Sequence, residues 1–213
     1  SILSALLAMK TKENAFTLPF MLALIEFFFF EGKRGKRLLY LLPFLLLALV
    51  IPFNHLGMDP SAGTVSEKYS ATKHYAEISR ADYLYTQFGV IASYIRLLFL
   101  PVNQNFDYYR PVIHSFFDIG ALLPLFFLLS ILSAGIFLYR ISISKDPSFR
   151  LISLGISWFF LALSIESGIF PIPMIMCEYR VYLPSVGAFA AFSSGFFLLA
   201  LKGIKYKRAV IAS

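Results

Sequence analysis

Cysteine is nearly absent: Cys177 is the single one among 213 residues. A disulfide scaffold is therefore excluded, and Cys177 reads as a small buried hydrophobe. Charge is scarce too. Asp, Glu, Lys and Arg make up 15% of the chain, against about 25% in an ordinary soluble domain. Disorder needs high charge and low hydrophobicity, whereas 58% of these residues are apolar. A soluble domain would have to hide more apolar surface than its volume allows. His55, His74 and His114 are far apart and show no metal spacing; His55 reads as an interfacial residue at a helix end. No Walker A loop, Gly-rich dinucleotide turn or Asn-x-Ser/Thr acceptor occurs. No basic n-region precedes the first apolar run, so no signal peptide is read.

What is present is a series of long apolar runs, with 24 Phe and 12 Tyr and a mean hydropathy of +0.73. A bilayer core about 30 Å thick needs about 20 mostly apolar residues as helix. Leu38–Met58, Ile119–Tyr139 and Val181–Leu201 satisfy this without a charge. Ala15–Phe30 carries only Glu26, and Leu151–Ile165 continues past Glu166 into Ser167–Phe170. Ser1–Met9 reads as the tail of another helix and the whole as a piece of a longer membrane protein. The fold class expected is all-α: one polytopic transmembrane helix bundle over residues 1–213. Residues 57–117 form an extracytoplasmic insert in it.

The net charge of +7 and pI of about 9.5 would suggest nucleic acid in a soluble protein. Here the basic residues sit in short clusters between apolar runs, which speaks for membrane topology and against a nucleic-acid partner. Lys33–Arg37, Arg140–Arg150 and Lys202–Arg208 are placed on the cytoplasmic side. Parity then predicts that Tyr83–Leu100 is a re-entrant or interface-lying helix, with Arg96 snorkelling to headgroups.

Three clusters carry ionisable groups. Lys10-Thr11-Lys12-Glu13-Asn14 is a short charged turn between apolar runs; it is either a solvated hairpin or a bundle mouth where Lys12 meets a phosphate. Glu166 to Glu178-Tyr179-Arg180-Val181-Tyr182 interrupts a nearly continuous apolar stretch. Ionisable groups at membrane depth are expensive and are kept for function or paired, so a structural Glu178–Arg180 clamp fixing a re-entrant loop is the alternative here. Arg80 to Gln87, Arg96 and Asp107 form the third, in an aromatic-rich amphipathic segment that also suits a tyrosine belt.

In this order the clusters resemble the transmembrane and tetratricopeptide-repeat-containing O-mannosyltransferases and their bacterial relatives, of the GT-C glycosyltransferase superfamily. The matching pieces are Lys12-Glu13 before Thr17, Tyr83-Leu84-Tyr85 to Leu100-Pro101 with Asp107 after it, and Glu178-x-Arg180-x-Tyr182-Leu183-Pro184-Ser185-x-Gly187. The resemblance implies a membrane enzyme taking sugar from a polyprenyl-phosphate donor on the non-cytoplasmic face, with a protein or glycan acceptor. It also implies an acidic loop with the catalytic base upstream of Ser1 and helical repeats downstream of Ser213. The chain alone is then expected to be inactive.

Such a transfer needs a carboxylate that removes the acceptor proton or positions a divalent metal, cations for the leaving phosphate, and an apolar groove for the carrier lipid. Lys12, Arg96 and Arg180 are the phosphate candidates. Glu13, Asp107, Glu166, Glu178 and Tyr182 are the orienting or supporting residues; Lys12-Glu13, Arg96, Asp107 and Glu178–Arg180 are expected around one outward-opening cavity with Tyr182 near its rim. No cofactor is assigned beyond that metal. Rival readings are a non-enzymatic transporter or scaffold, disfavoured by the lack of an internal repeat, and a ligase or polymerase of the O-antigen type. The expected location is the bacterial inner membrane, with the endoplasmic reticulum as the alternative.

Overall fold

The computed structural model describes residues 17–30, 78–105, 108–144, 147–168 and 174–211, with isolated positions among the first 46; of 202–211 it describes the backbone only. Every regular element among the described residues is helical. Leu38–Met58 lies mostly outside them, as do Ser1–Met9 apart from Leu7 and the basic cluster Lys33–Arg37.

Helix α1 (Leu18–Phe29) starts with Pro19 in its first turn, where a missing N–H costs nothing. Its C-terminal end docks on α3 (Ile119–Ser144): the Phe27 and Phe28 rings lie 5.3 and 4.8 Å from that of Tyr139.

Helix α2 (Arg80–Phe99) is opened by Ser79, whose hydroxyl accepts from Asp82 N at 3.1 Å. Asp82 in the first turn and Arg96 in the last both complement the helix dipole. Pro101 disfavours helix at Leu100 and ends it. The chain then runs back antiparallel along α2. Arg110 Nη2 donates to Ser93 Oγ at 2.5 Å, Ile113 N donates to Thr86 Oγ1 at 2.9 Å, and His114 Nδ1 lies 2.8 Å from Asp82 Oδ2. Asp118 caps α3 by accepting from Gly120 N at 2.7 Å.

Helix α4 (Phe149–Leu163) packs between α3 and α5 (Tyr182–Ile211), with a 3-10 turn over Glu178–Val181 leading into α5. Ser153 Oγ donates to Gly135 O at 2.7 Å across the α3–α4 face. Helices α4 and α5 are antiparallel and unusually close: a Cβ on Gly155 would lie 2.3 Å from Gly187 O. Trp158 Nε1 donates to Leu183 O at 3.1 Å nearer the start of α5.

Instead of continuing past Glu166, α4 stops at Leu163 and turns through 164–168. Ser164 Oγ folds back onto Leu161 O at 2.7 Å. Gly168 then passes so near Ser164 O that a Cβ there would sit 2.3 Å away, a turn that only glycine allows without a shift.

Among the described residues, two helices, Ile119–Ile143 and Glu178–Leu201, are long and apolar enough to cross a membrane; α1 and α4 are shorter apolar helices. Large apolar side chains stay uncovered along α3 (Leu123, Phe126, Phe137) and α5 (Phe192, Phe196, Leu199). The core lies where α2 meets the ends of α4 and α5: Val90, Tyr94 and Leu97 against Phe159, Leu163, Ile175, Met176 and Val181.

Candidate functional site

The buried face of α2 carries Tyr83, Gln87, Val90, Tyr94 and Leu97. This 4-3-4-3 spacing is a helical stripe, but three of its members are polar. Each reaches the backbone of the segment joining α4 to α5. Tyr83 OH donates to Glu166 O at 3.0 Å, Gln87 Nε2 donates to Ile175 O at 3.0 Å, and Tyr94 OH accepts from Cys177 N at 2.9 Å. These bonds satisfy backbone groups that the turn at 164–168 and the irregular run 174–177 leave outside any ladder. Met174 stands at a φ of 62° on this run.

Arg180 sits on the 3-10 turn at the end of this segment and is buried, 3% exposed. The ionisable groups acting on it are Tyr83, Tyr94, Cys177 and Glu166. Glu166 is itself buried, 8% exposed. The Arg180 guanidinium thus lies within electrostatic range of two phenols, a carboxylate and a thiol at one end of the α4–α5 pair. Burial pushes the Tyr94 phenol well above its ordinary 10.0, against the opposing effects of the Cys177 N–H bond and the Arg180 charge.

Glu178 faces a different partner. Its Oε1 accepts from Asn105 N at 2.9 Å and from the Tyr108 hydroxyl. It fastens the chain after α2 to the start of the 3-10 turn. Desolvation and this carboxylate raise the Tyr108 phenol above its usual value, and Arg96 opposes them. Arg96 is exposed. It lies about 200° round the helix from Tyr94, since each residue turns about 100°, so it faces away from the side that meets Arg180. Tyr182 is 83% exposed at the start of α5.

Of the residues singled out in the sequence, the structure therefore buries Glu166 and Arg180 at the same end of the α4–α5 pair, within electrostatic range of each other. It puts Glu178 on the strap after α2, Arg96 on the outer side of α2, and Tyr182 in the open. Lys12, Glu13 and Asp107 lie outside the described residues. Gln87 and Tyr94 went unassigned, although their spacing from Tyr83 was the available signal. Among the described residues, no three of His, Cys, Asp and Glu gather as metal ligands would. Comparison of the chain with protein-family models, with curated proteins and with solved structures gave no match.

Proposed function

We propose that the chain is part of a membrane glycosyltransferase that takes a sugar from a polyprenyl-phosphate donor on the non-cytoplasmic face. The observation that carries this reading is the burial of Arg180 among Tyr83, Tyr94 and Glu166 at one end of an apolar helix pair. Membrane-depth cations are costly and tend to serve ligands or ion pathways. A guanidinium suits phosphate oxygens better than an ammonium does, because its planar fork can hold two of them. The uncovered phenylalanines and leucines of α3 and α5 supply surface for an isoprenoid tail. In this role Arg180 offsets the charge that grows on the leaving phosphate.

A second reading has its own observation. Arg180 and Glu166 are both buried at the same end of the helix pair, and the Glu166 carboxylate favours the Arg180 charge, which suits a structural role in a transporter or scaffold. Breaking a buried pair by removing one partner costs about 3–5 kcal/mol, so a clamp is sensitive to substitution without binding anything.

The two separate in one measurement. With the chain in lipid nanodiscs, undecaprenyl phosphate binds if the reading holds, and Arg180→Ala weakens it about 10- to 100-fold, the worth of a charge-assisted hydrogen bond or two. Arg180→Lys keeps the charge and recovers part of the affinity. Lack of binding by the unsubstituted chain, or equal binding by Arg180→Ala, leaves the clamp.

A further inference from the structure

Arg96 and Arg110 meet on the face of α2 that is turned away from Arg180. Arg110 Nη2 donates to Ser93 Oγ at 2.5 Å, and the Ser93 hydroxyl donates in turn to Gly89 O at 2.8 Å. Ser93 and Arg96 are three apart on one helix, so their Cβ atoms lie about 5–6 Å from each other. Helical side chains lean toward the N-terminus, which tips Arg96 over the turn where Ser93 holds Arg110. The strap agrees with this: Arg96 acts electrostatically on Tyr108, two residues before Arg110. Arg96 is exposed and Arg110 half-buried, so a ligand reaches them from the surface and needs no cavity.

Charge and surroundings select that ligand. Two cations on one face repel, and an anion set between them removes the repulsion. Glu178 is tied to this side through Tyr108, and its single charge leaves the pair of arginines net positive among the described residues. Ser93 occupies one of the five donors of Arg110; the rest of the planar fork suits phosphate oxygens. Beyond the cations the surface turns apolar. Phe99, one turn past Arg96, lies 6.2 and 5.1 Å from the rings of Phe189 and Phe192 on α5, and all three are exposed. Phe189 and Phe192 follow Tyr182 by seven and ten residues, about 10–15 Å further along α5. Cations above an exposed aromatic patch match a headgroup above its acyl chains, whereas a free phosphate would use the cations alone. We propose that Arg96 and Arg110 bind the phosphate of an anionic phospholipid of the surrounding leaflet, with its acyl chains on Phe99, Phe189 and Phe192. The site requires that the chain lie in a bilayer, not that it transfer sugar.

Native mass spectrometry of the full chain released from nanodiscs of equal phosphatidylglycerol and phosphatidylcholine tests this. Both lipids carry a phosphate, and only the first is anionic. The wild type retains phosphatidylglycerol in preference. Arg96→Gln and Arg110→Gln each lower that preference about fivefold, the worth of one arginine near an anionic lipid. Arg80→Gln, on the same helix about 24 Å from Arg96, leaves it unchanged. Arg96 makes no side-chain hydrogen bond among the described residues, so its substitution decides the matter even where Arg110→Gln, which loses the Ser93 bond, fails to fold. Equal retention of the two lipids by the wild type, or an unchanged preference in Arg96→Gln, overturns the site. So does an equal loss in Arg80→Gln, which traces the preference to general surface charge. Complete displacement of phosphatidylglycerol by an equimolar amount of undecaprenyl phosphate overturns it as well, and gives the two arginines to the carrier lipid.

Discussion

Tyr94 shows how much one hydroxyl does in this protein. Its ring fills the core with Val90 and Leu97, and its oxygen is the acceptor for the Cys177 N–H. Tyr94→Phe keeps the ring and strands that N–H. A buried donor without a partner costs about 1–3 kcal/mol, which should appear as a lower melting temperature of the purified protein. The same residue sets a pH limit. Its folded pKa is raised, so its contribution to stability is complete below the unfolded value of about 10 and is lost as pH rises through that value toward the folded one. A melting-temperature series into alkali should fall for the wild type and fall less steeply for Tyr94→Phe; equal slopes would assign the alkaline loss to other groups such as Tyr108. In the sequence Tyr94 was one tyrosine of an aromatic-rich segment, and a tyrosine belt was an adequate account of it. The residue it binds, Cys177, is 83 positions away, and no local pattern couples the two.

Elements were more legible than contacts. The apolar runs at Ile119–Tyr139 and Val181–Leu201 became α3 and the first part of α5 because length and hydropathy suffice to define such helices. The start of α2 came three residues earlier than Tyr83, since the cap Ser79 and the acidic Asp82 lie in polar sequence that an apolar count leaves out. What the runs did not convey was how closely α4 and α5 cross. The signal existed in Gly187-x-x-x-Ala191-x-x-x-Gly195, a small-residue stripe of the kind that lets helices approach in lipid. A Cβ on Gly155 would meet Gly187 O at 2.3 Å and Ala191 N at 2.8 Å, and one on Gly187 would meet Gly155 O at 2.5 Å. These are backbone atoms, which a rotamer change cannot move aside. Gly155→Val is expected to push the pair apart, break the Trp158–Leu183 bond, and destabilise by at least the 1–3 kcal/mol typical of overpacking. Gly195→Ala, whose Cβ would meet only Ile152 at 3.8 Å, should be nearly neutral. Thermal unfolding of both variants checks the contrast.

At the scale of the whole molecule, the Arg180 region and the basic clusters flanking the long apolar helices lie at opposite ends. Arg180, Glu166, α2 and its strap gather where α4 ends and α5 begins. Arg140 and Arg150 lie near the opposite ends of α3 and α4, where α1 also finishes against Tyr139. The antiparallel run of α5 carries Lys202–Arg208 toward that same end. Basic residues next to apolar helices are retained on the cytoplasmic side, so in the proposed reading the Arg180 end faces outward. Helix α2 then has no need to cross. Its buried stripe is used up on α4 and on residues 175–181, and its far end meets Phe189 and Phe192 of α5 by ring contacts, which suits a helix dipping partway along the bundle. Orientation is directly measurable because the native thiol, Cys177, is fully buried and gives little background. Cysteines placed at Tyr109 and Tyr182, both highly exposed, should react with an impermeant maleimide added outside intact cells. Cysteines replacing Arg140 and Gly203 should react only after permeabilisation. Labelling of Arg140→Cys and Gly203→Cys on opposite sides would break the shared basic end, and labelling of Tyr182→Cys from within would put Arg180 on the cytoplasmic face, where a donor presented on the outer side cannot reach it.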